Sequence, residues 1–118
     1  MMKKDLKERA YSFSLTVFKF IDDETKDHKI YYSMIDQLIR CSTSIGANII
    51  EASSASSRKD FIKFYEIALK SANETKYWLC LFRDGMKCEK ERTNIVLNEA
   101  VELSKILASS LLTLKDKN

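Results

Sequence analysis

The 118-residue chain contains no proline and only two glycines, Gly46 and Gly85. Those two residue types are the usual means of ending helices and of turning one strand into the next. A sheet protein of this length would need many such turns, so their scarcity predicts an all-α fold. The chain is long enough to bury a core without disulfide or metal support, and one domain over residues 1–118 is expected. No apolar run approaches the roughly 18 residues of a membrane-spanning helix, and the N-terminal MMKKDLKERA lacks the apolar centre of a signal peptide. A cytoplasmic protein without a membrane partner is therefore expected.

Apolar periodicity divides the chain into four helices, at about residues 4–22, 30–52, 58–84 and 89–114. In the first, Leu6, Ala10, Phe13, Val17 and Phe20 alternate spacings of four and three, which turns one face to a core. Tyr11, Leu15 and Phe18 repeat that spacing on the opposite side of the helix. A helix in a monomeric bundle offers its back to water, so an apolar back predicts a second surface to be covered. The second helix runs Tyr31, Ile35, Leu38, Ser42, Ile45, Ile49 and Ala52, with Tyr32, Ile39 and Ile50 beside that seam. Between Ile30 and Ser57 only Asp36, Arg40 and Glu51 are charged, so this helix should be the most buried. Gly46 within it predicts a bend or the close approach of another backbone.

The third helix carries Phe61, Phe64, Ala68, Ala72, Thr75, Leu79 and Phe82 on its main face, with Trp78 nearby, and Phe61, Phe64, Trp78 and Phe82 are expected in the core. Ile62, Leu69 and Cys80 widen its apolar arc. The surplus apolar residues Tyr11, Leu15, Phe18, Ile39, Ile50, Ile62 and Leu69 are the candidates for contacts between copies of the chain. Ser57 is placed to cap this helix, with Asp60 in the first turn. Gly85 is expected to end it in the left-handed conformation. The seam of the last helix is Leu97, Ala100, Ser104, Leu107, Leu111 and Leu114. Four amphipathic helices with short connections predict an up-down-up-down antiparallel four-helix bundle.

Residues that could do chemistry are few. Cys41, Cys80 and Cys88 have no CxxC spacing and read as reduced thiols. His28, the only histidine, falls in the polar stretch Asp22–Lys29 without ligand or nucleophile neighbours in sequence. No Gly-rich phosphate loop, HExxH or paired Glu-x-x-His is present, so neither cofactor, metal nor catalytic activity is expected. Asp36 and Arg40 stand at i and i+4 and are read as satisfying each other. Along the outer face of the third helix Lys59, Lys63 and Lys70 fall within about 40° of one another, and Tyr77 continues their line. Such a row could follow a phosphate backbone. Glu66 and Glu74 beside it, with Glu66 spaced to pair with Lys70, support the alternative of a solvated face. The net charge of +3 permits a polyanionic partner without requiring one.

The stretch IRCSTSIGANIIEASSASSRKDFIKFYEIALKSANETKYWL resembles the four-helix-bundle proteins encoded in intervening sequences of bacterial large-subunit ribosomal RNA genes. Their pattern is an arginine, SIPANIAEG, a short polar joint, and K-x-F-x-x-F-L-x-I-A-x-G-S-x-x-E. Arg40, Ser44, Ile45, Ala47, Asn48, Ile49 and Glu51 match its first part, and Phe61, Ile67, Ala68, Ser71 and Glu74 its second. Gly46 replaces the family's proline and Ala52 its glycine. The resemblance covers nearly the whole chain and implies a homopentameric ring, which would account for the doubly apolar helices. One branch of the family assists a reverse transcriptase and binds nucleic acid, so RNA or DNA and such an enzyme are implied as partners. Of the polar residues that the pattern shares, Arg40, Asn48, Glu51 and Glu74, the pair Asn48 and Glu51 is expected to bond to the serine joint or to a neighbouring subunit. The leading expectation is a non-enzymatic, nucleic-acid-binding oligomer; the alternative is a structural or protein-interaction bundle.

Overall fold

A computed structural model describes residues 5–26 and 31–116. Four helices occupy them, α1 (Leu6–Glu24), α2 (Tyr32–Ser53), α3 (Arg58–Asp84) and α4 (Lys90–Lys115), and no strand occurs among the described residues. His28 lies outside the described residues. Helix starts are set by side chains that satisfy otherwise unpaired N–H groups. The Asp5 carboxylate accepts from the Lys7 N–H at 3.1 Å, Ser57 Oγ from the Asp60 N–H at 3.1 Å, and the Glu89 carboxylate from the Arg92 N–H at 2.6 Å.

The helices form an antiparallel circuit in which α2 packs on α1 and α3, and α4 packs on α3 and α1. Cross-links fix the directions: Arg9 meets Glu99 near one end of the α1/α4 pair, and Arg92 meets Asp23 and Glu24 near the other. On α3 and α4, Arg83 bonds Asn94 while Lys115 bonds Glu66. Helix α1 thus stands diagonally across from α3. One cluster of buried side chains fills the centre, including Phe13, Val17, Leu38, Ile45, Leu79, Phe82, Leu103 and Leu107.

The expected core faces of α1 and α2 are buried, apart from half-buried Leu6 and Tyr31. On α3, Ala68, Ala72, Thr75, Leu79 and Phe82 are buried, whereas Phe61, Phe64 and Trp78 are only half-buried. Trp78 still packs on the core. Phe61 sits at the end of the bundle, where Ser109, Ser110, Thr113 and Leu114 of α4 leave its ring only half-covered. Its ring instead meets Tyr65, with centroids 4.6 Å apart.

Space explains only one of the two glycines. A Cβ on Gly46 would lie 3.5 Å from Ala10 Cβ, so α1 approaches α2 closely there. Gly85 is not left-handed, contrary to expectation: its φ is −95° and ψ −48°, and the positive φ belongs to Lys87, at 59°. A Cβ on Gly85 would lie 2.9 Å from the Leu81 carbonyl oxygen, which accepts from the Gly85 N–H at 2.7 Å and the Met86 N–H at 3.3 Å. The tight turn around that carbonyl, and not left-handed backbone, excludes a side chain.

The acidic stretch after Phe20 is part of the scaffold. Helix α1 continues through Asp22, Asp23 and Glu24. One Glu24 carboxylate oxygen accepts from the Glu89 N–H at 2.8 Å and the other from Arg92 at 3.2 Å. A carboxylate at the positive end of α4 complements that helix's dipole.

Candidate nucleic-acid interface

Lys59, Lys63 and Lys70 all lie on the exposed face of α3, and Tyr77 follows them, 61% exposed. From Lys59 to Lys70 the row spans about 16 Å, and Tyr77 extends it to about 27 Å. None of the three lysines makes an ion pair among the described residues. Neither acid beside the row forms an ion pair with it. Glu66 does not pair with Lys70; its carboxylate accepts from Lys115 Nζ on α4 at 2.7 Å. Glu74 accepts from the Trp78 indole N–H at 3.2 Å, and the Trp78 ring receives Tyr77 edge-on with centroids 5.7 Å apart. Arg58, at the head of the row, donates to the Leu114 carbonyl and is occupied in tying α3 to α4. The face therefore offers three unpaired ammonium groups and one exposed phenol ring.

The whole chain carries a net charge of only +3, from 20 basic and 17 acidic residues, which permits a polyanionic partner without requiring one.

The four polar residues of the motif do not converge on one site. Arg40 donates to Asp36 at 2.8 Å, the anticipated i,i+4 pair. Glu51 is exposed, with no side-chain hydrogen bond or ion pair among the described residues. Asn48 does not reach the serine joint; its amide donates to the Ser44 carbonyl and to Ser44 Oγ, both at 2.9 Å. Ser44 Oγ also accepts from Ser71 Oγ at 2.9 Å. Ser44 and Asn48 on α2 and Ser71 on α3 thus meet as a polar link between two helices, reached through residues 27 apart in sequence.

Of the candidates for contact between copies, Tyr11, Leu15, Phe18 and Ile50 are exposed at 64%, 50%, 46% and 51%. Ile39 and Leu69 are half-buried and pack partly against the chain's own core. Ile62 is half-buried. Sequence periodicity missed a groove between α1 and α4, where Ile95 is 69% exposed. Its only advance sign was that Ile95 stands off the Leu97–Leu114 seam. No group of three His, Cys, Asp or Glu side chains that could hold a metal ion occurs among the described residues, and no described helix is long and apolar enough to cross a membrane.

These features define an all-α, four-helix protein whose motif serves helix packing. The chain belongs to the 23S rRNA-intervening sequence protein family, which it matches over residues 2–109. It is also similar to a crystal structure of a protein of unknown function from the S23 ribosomal protein family of Bacteroides thetaiotaomicron VPI-5482. The two are 38% identical with a TM-score of 0.80, over 91% of this chain and 98% of that one. Neither description names a catalytic activity. Among curated proteins none matches the chain.

Proposed function

We propose that the protein is a non-enzymatic, cytoplasmic, self-associating module, assembled as a pentameric ring, that binds RNA or DNA and assists an enzyme acting on nucleic acid, such as a reverse transcriptase. The observation that carries this reading is the row of Lys59, Lys63 and Lys70, exposed on α3 without ion-pair partners while Glu66 and Glu74 are held by Lys115 and Trp78. Three ammonium groups on one subunit meet too few phosphates for firm binding. A ring repeats them, which converts a weak contact into avidity wherever the nucleic acid spans adjacent subunits. Binding of this kind arises from counterion release and is weakly selective for sequence.

The second reading, a protein-interaction bundle without nucleic acid, draws on the exposed apolar side chains Tyr11, Leu15, Phe18 and Ile95 and on a net charge of only +3. Titrating labelled structured RNA and duplex DNA at 50 and 200 mM salt separates the two. If three phosphates are met on a duplex, affinity should fall roughly 40-fold over that interval. Replacing Lys59, Lys63 and Lys70 together by glutamate should abolish binding and leave the circular dichroism unchanged. No binding by the unmodified protein at 50 mM salt, or equal binding by the triple variant, would establish the row as a solvated face.

A further inference from the structure

Helix α1 carries two distinct outward surfaces. One is the ridge of Tyr11, Leu15 and Phe18, each between 46% and 64% exposed. The other is its side of the α1/α4 groove, two confluent hollows of about 800 and 490 Å³ that share Thr16 and Ile95. Leu15 belongs to both surfaces, since it also lines the second hollow. The groove follows α1 from Leu6 to Asp23, about 25 Å of helix.

We propose that a second copy of the chain docks here, the α1 ridge of one subunit lying in the α1/α4 groove of the next, with Phe18 and Tyr11 seated against Ile95 and Leu15. The inference rests on the self-associating reading above and names its contact face. Two observations select this occupant. Tyr11, Leu15, Phe18 and Ile95 together leave on the order of 400 Å² of apolar side chain uncovered. In a head-to-tail contact these side chains are divided between the two partners, where they supply nearly half of the ~900 Å² of apolar area in a standard interface of about 1,600 Å² in total. The charges along the groove are balanced: Arg9, Lys19 and Arg92 stand against Asp23, Glu99 and Glu102, with Arg9 bound to Glu99 and both Lys19 and Arg92 bound to Asp23. A polyanion or a highly charged peptide gains nothing from such a surface, whereas an apolar helix face of low charge does. The α1 ridge is such a face.

Ridge and groove are different surfaces, so the contact is head-to-tail and each subunit both gives and receives. The two point in different directions around α1, so successive subunits turn, and such contacts give a ring where the rotation closes and an open filament where it does not. In a closed ring, with both contacts on α1, that helix would lie towards the axis. Helix α3, diagonally opposite, then faces outward with Lys59, Lys63 and Lys70 on the rim. Nucleic acid would run around the outside of the assembly.

The test uses the full chain. Light scattering should give a multiple of the 13.7 kDa protomer for the unmodified protein and a single protomer for Leu15→Asp and for Ile95→Asp, with helicity retained in both. In a Cys80→Ser background, mixed subunits carrying Phe18→Cys and Ile95→Cys should form a disulfide between copies that neither gives alone. This second measurement stands even if the aspartate variants fail to fold. An unmodified protein that is monomeric at micromolar concentration would overturn both this inference and the self-associating reading. An oligomer that persists in both aspartate variants, or copies that do not cross-link, would overturn the contact face alone.

Discussion

Gly46→Ala should stabilise the protein. The position is a buried one in the middle of α2, where glycine costs roughly 0.5 to 1 kcal/mol relative to alanine through the backbone freedom it loses. Whether that gain is realised depends on the space towards α1. The added Cβ would lie 3.5 Å from Ala10 Cβ, 3.6 Å from its carbonyl carbon and 3.7 Å from its carbonyl oxygen. These are ordinary van der Waals separations, so the methyl group fits and adds a little apolar contact. The net expectation is about 0.5 to 1.5 kcal/mol, or roughly 2 to 6 °C in Tm for a chain of this length. Thermal unfolding followed by far-UV circular dichroism, at one fixed protomer concentration, measures it. Gly46→Val supplies the contrast: its γ carbons extend about one bond further and must push α1 away, at roughly 1 to 3 kcal/mol. A fall in Tm for the alanine variant, or a rise for valine, would refute the account of this helix contact.

Phe82, 1% exposed, should cost about 3 to 5 kcal/mol on replacement by alanine, while half-buried Phe64 should cost about 1 to 2 kcal/mol; equal losses in urea titrations would contradict the different burial of the two. The thiols should separate by burial. Burial pushes the Cys88 thiol up from 9.0 to about 11, with the Glu24 carboxylate adding to the effect, and burial likewise raises Cys41. At pH 8 a disulfide reagent should label half-buried Cys80 in the folded protein and reach Cys41 and Cys88 only on unfolding. Because the folded Cys88 pKa is the higher one, its contribution to stability is intact below about pH 9 and is lost between pH 9 and about 11, as the unfolded chain ionises first. Rapid labelling of Cys88 at pH 8 would contradict its burial.

What could be read from the sequence follows the range of the interactions involved. The buried stripe Ala10, Phe13, Val17 and Phe20 is set by the pitch of one helix, and Ser57 over Asp60 by a single turn. Helical phase also put Phe61 and Phe64 on the correct side of α3, but it does not encode how far along the bundle they lie or what stands opposite. The half-covered ring of Phe61 lies beside Ser109, Ser110, Thr113 and Leu114, about fifty residues away. Glu66 presented a local partner, Lys70, and took a distant one, Lys115, because α4 ends beside it. Arg9 and Glu99, 90 residues apart, form a bidentate pair at 2.7 and 2.8 Å that no local pattern announces. The α1/α4 groove was invisible for the same reason, being the space that two separate helices leave between them.

Within the stretch that carries the family resemblance, the residues of α2 have a structural role in helix packing. Ser44 and Asn48 lie on the α3 side of α2, where they join Ser71, and Gly46 lies on the opposite side, where Ala10 of α1 comes close. Within five residues α2 thus sets its spacing to both neighbours. On one side small residues, Gly46 and Ala10, let α1 come close, and on the other the hydroxyl and amide groups hold α3 through directional bonds that a purely apolar contact would not impose. These two helices bear the surfaces proposed to act: α1 the ridge and groove for another copy, α3 the lysine row. Of the four polar motif residues, Asn48 is taken up in the link to α3, Arg40 is paired with Asp36, Glu74 accepts from Trp78, and Glu51 is exposed on the surface. The α2 part of the motif therefore supplies the frame, and the surfaces proposed for recognition are Lys59, Lys63 and Lys70 on the outer face of α3 and Tyr11, Leu15, Phe18 and Ile95 on α1 and α4. Their exposure leaves those residues unconstrained by packing, so helical pitch could place them on a face but the partner they meet had to be inferred from the assembled bundle.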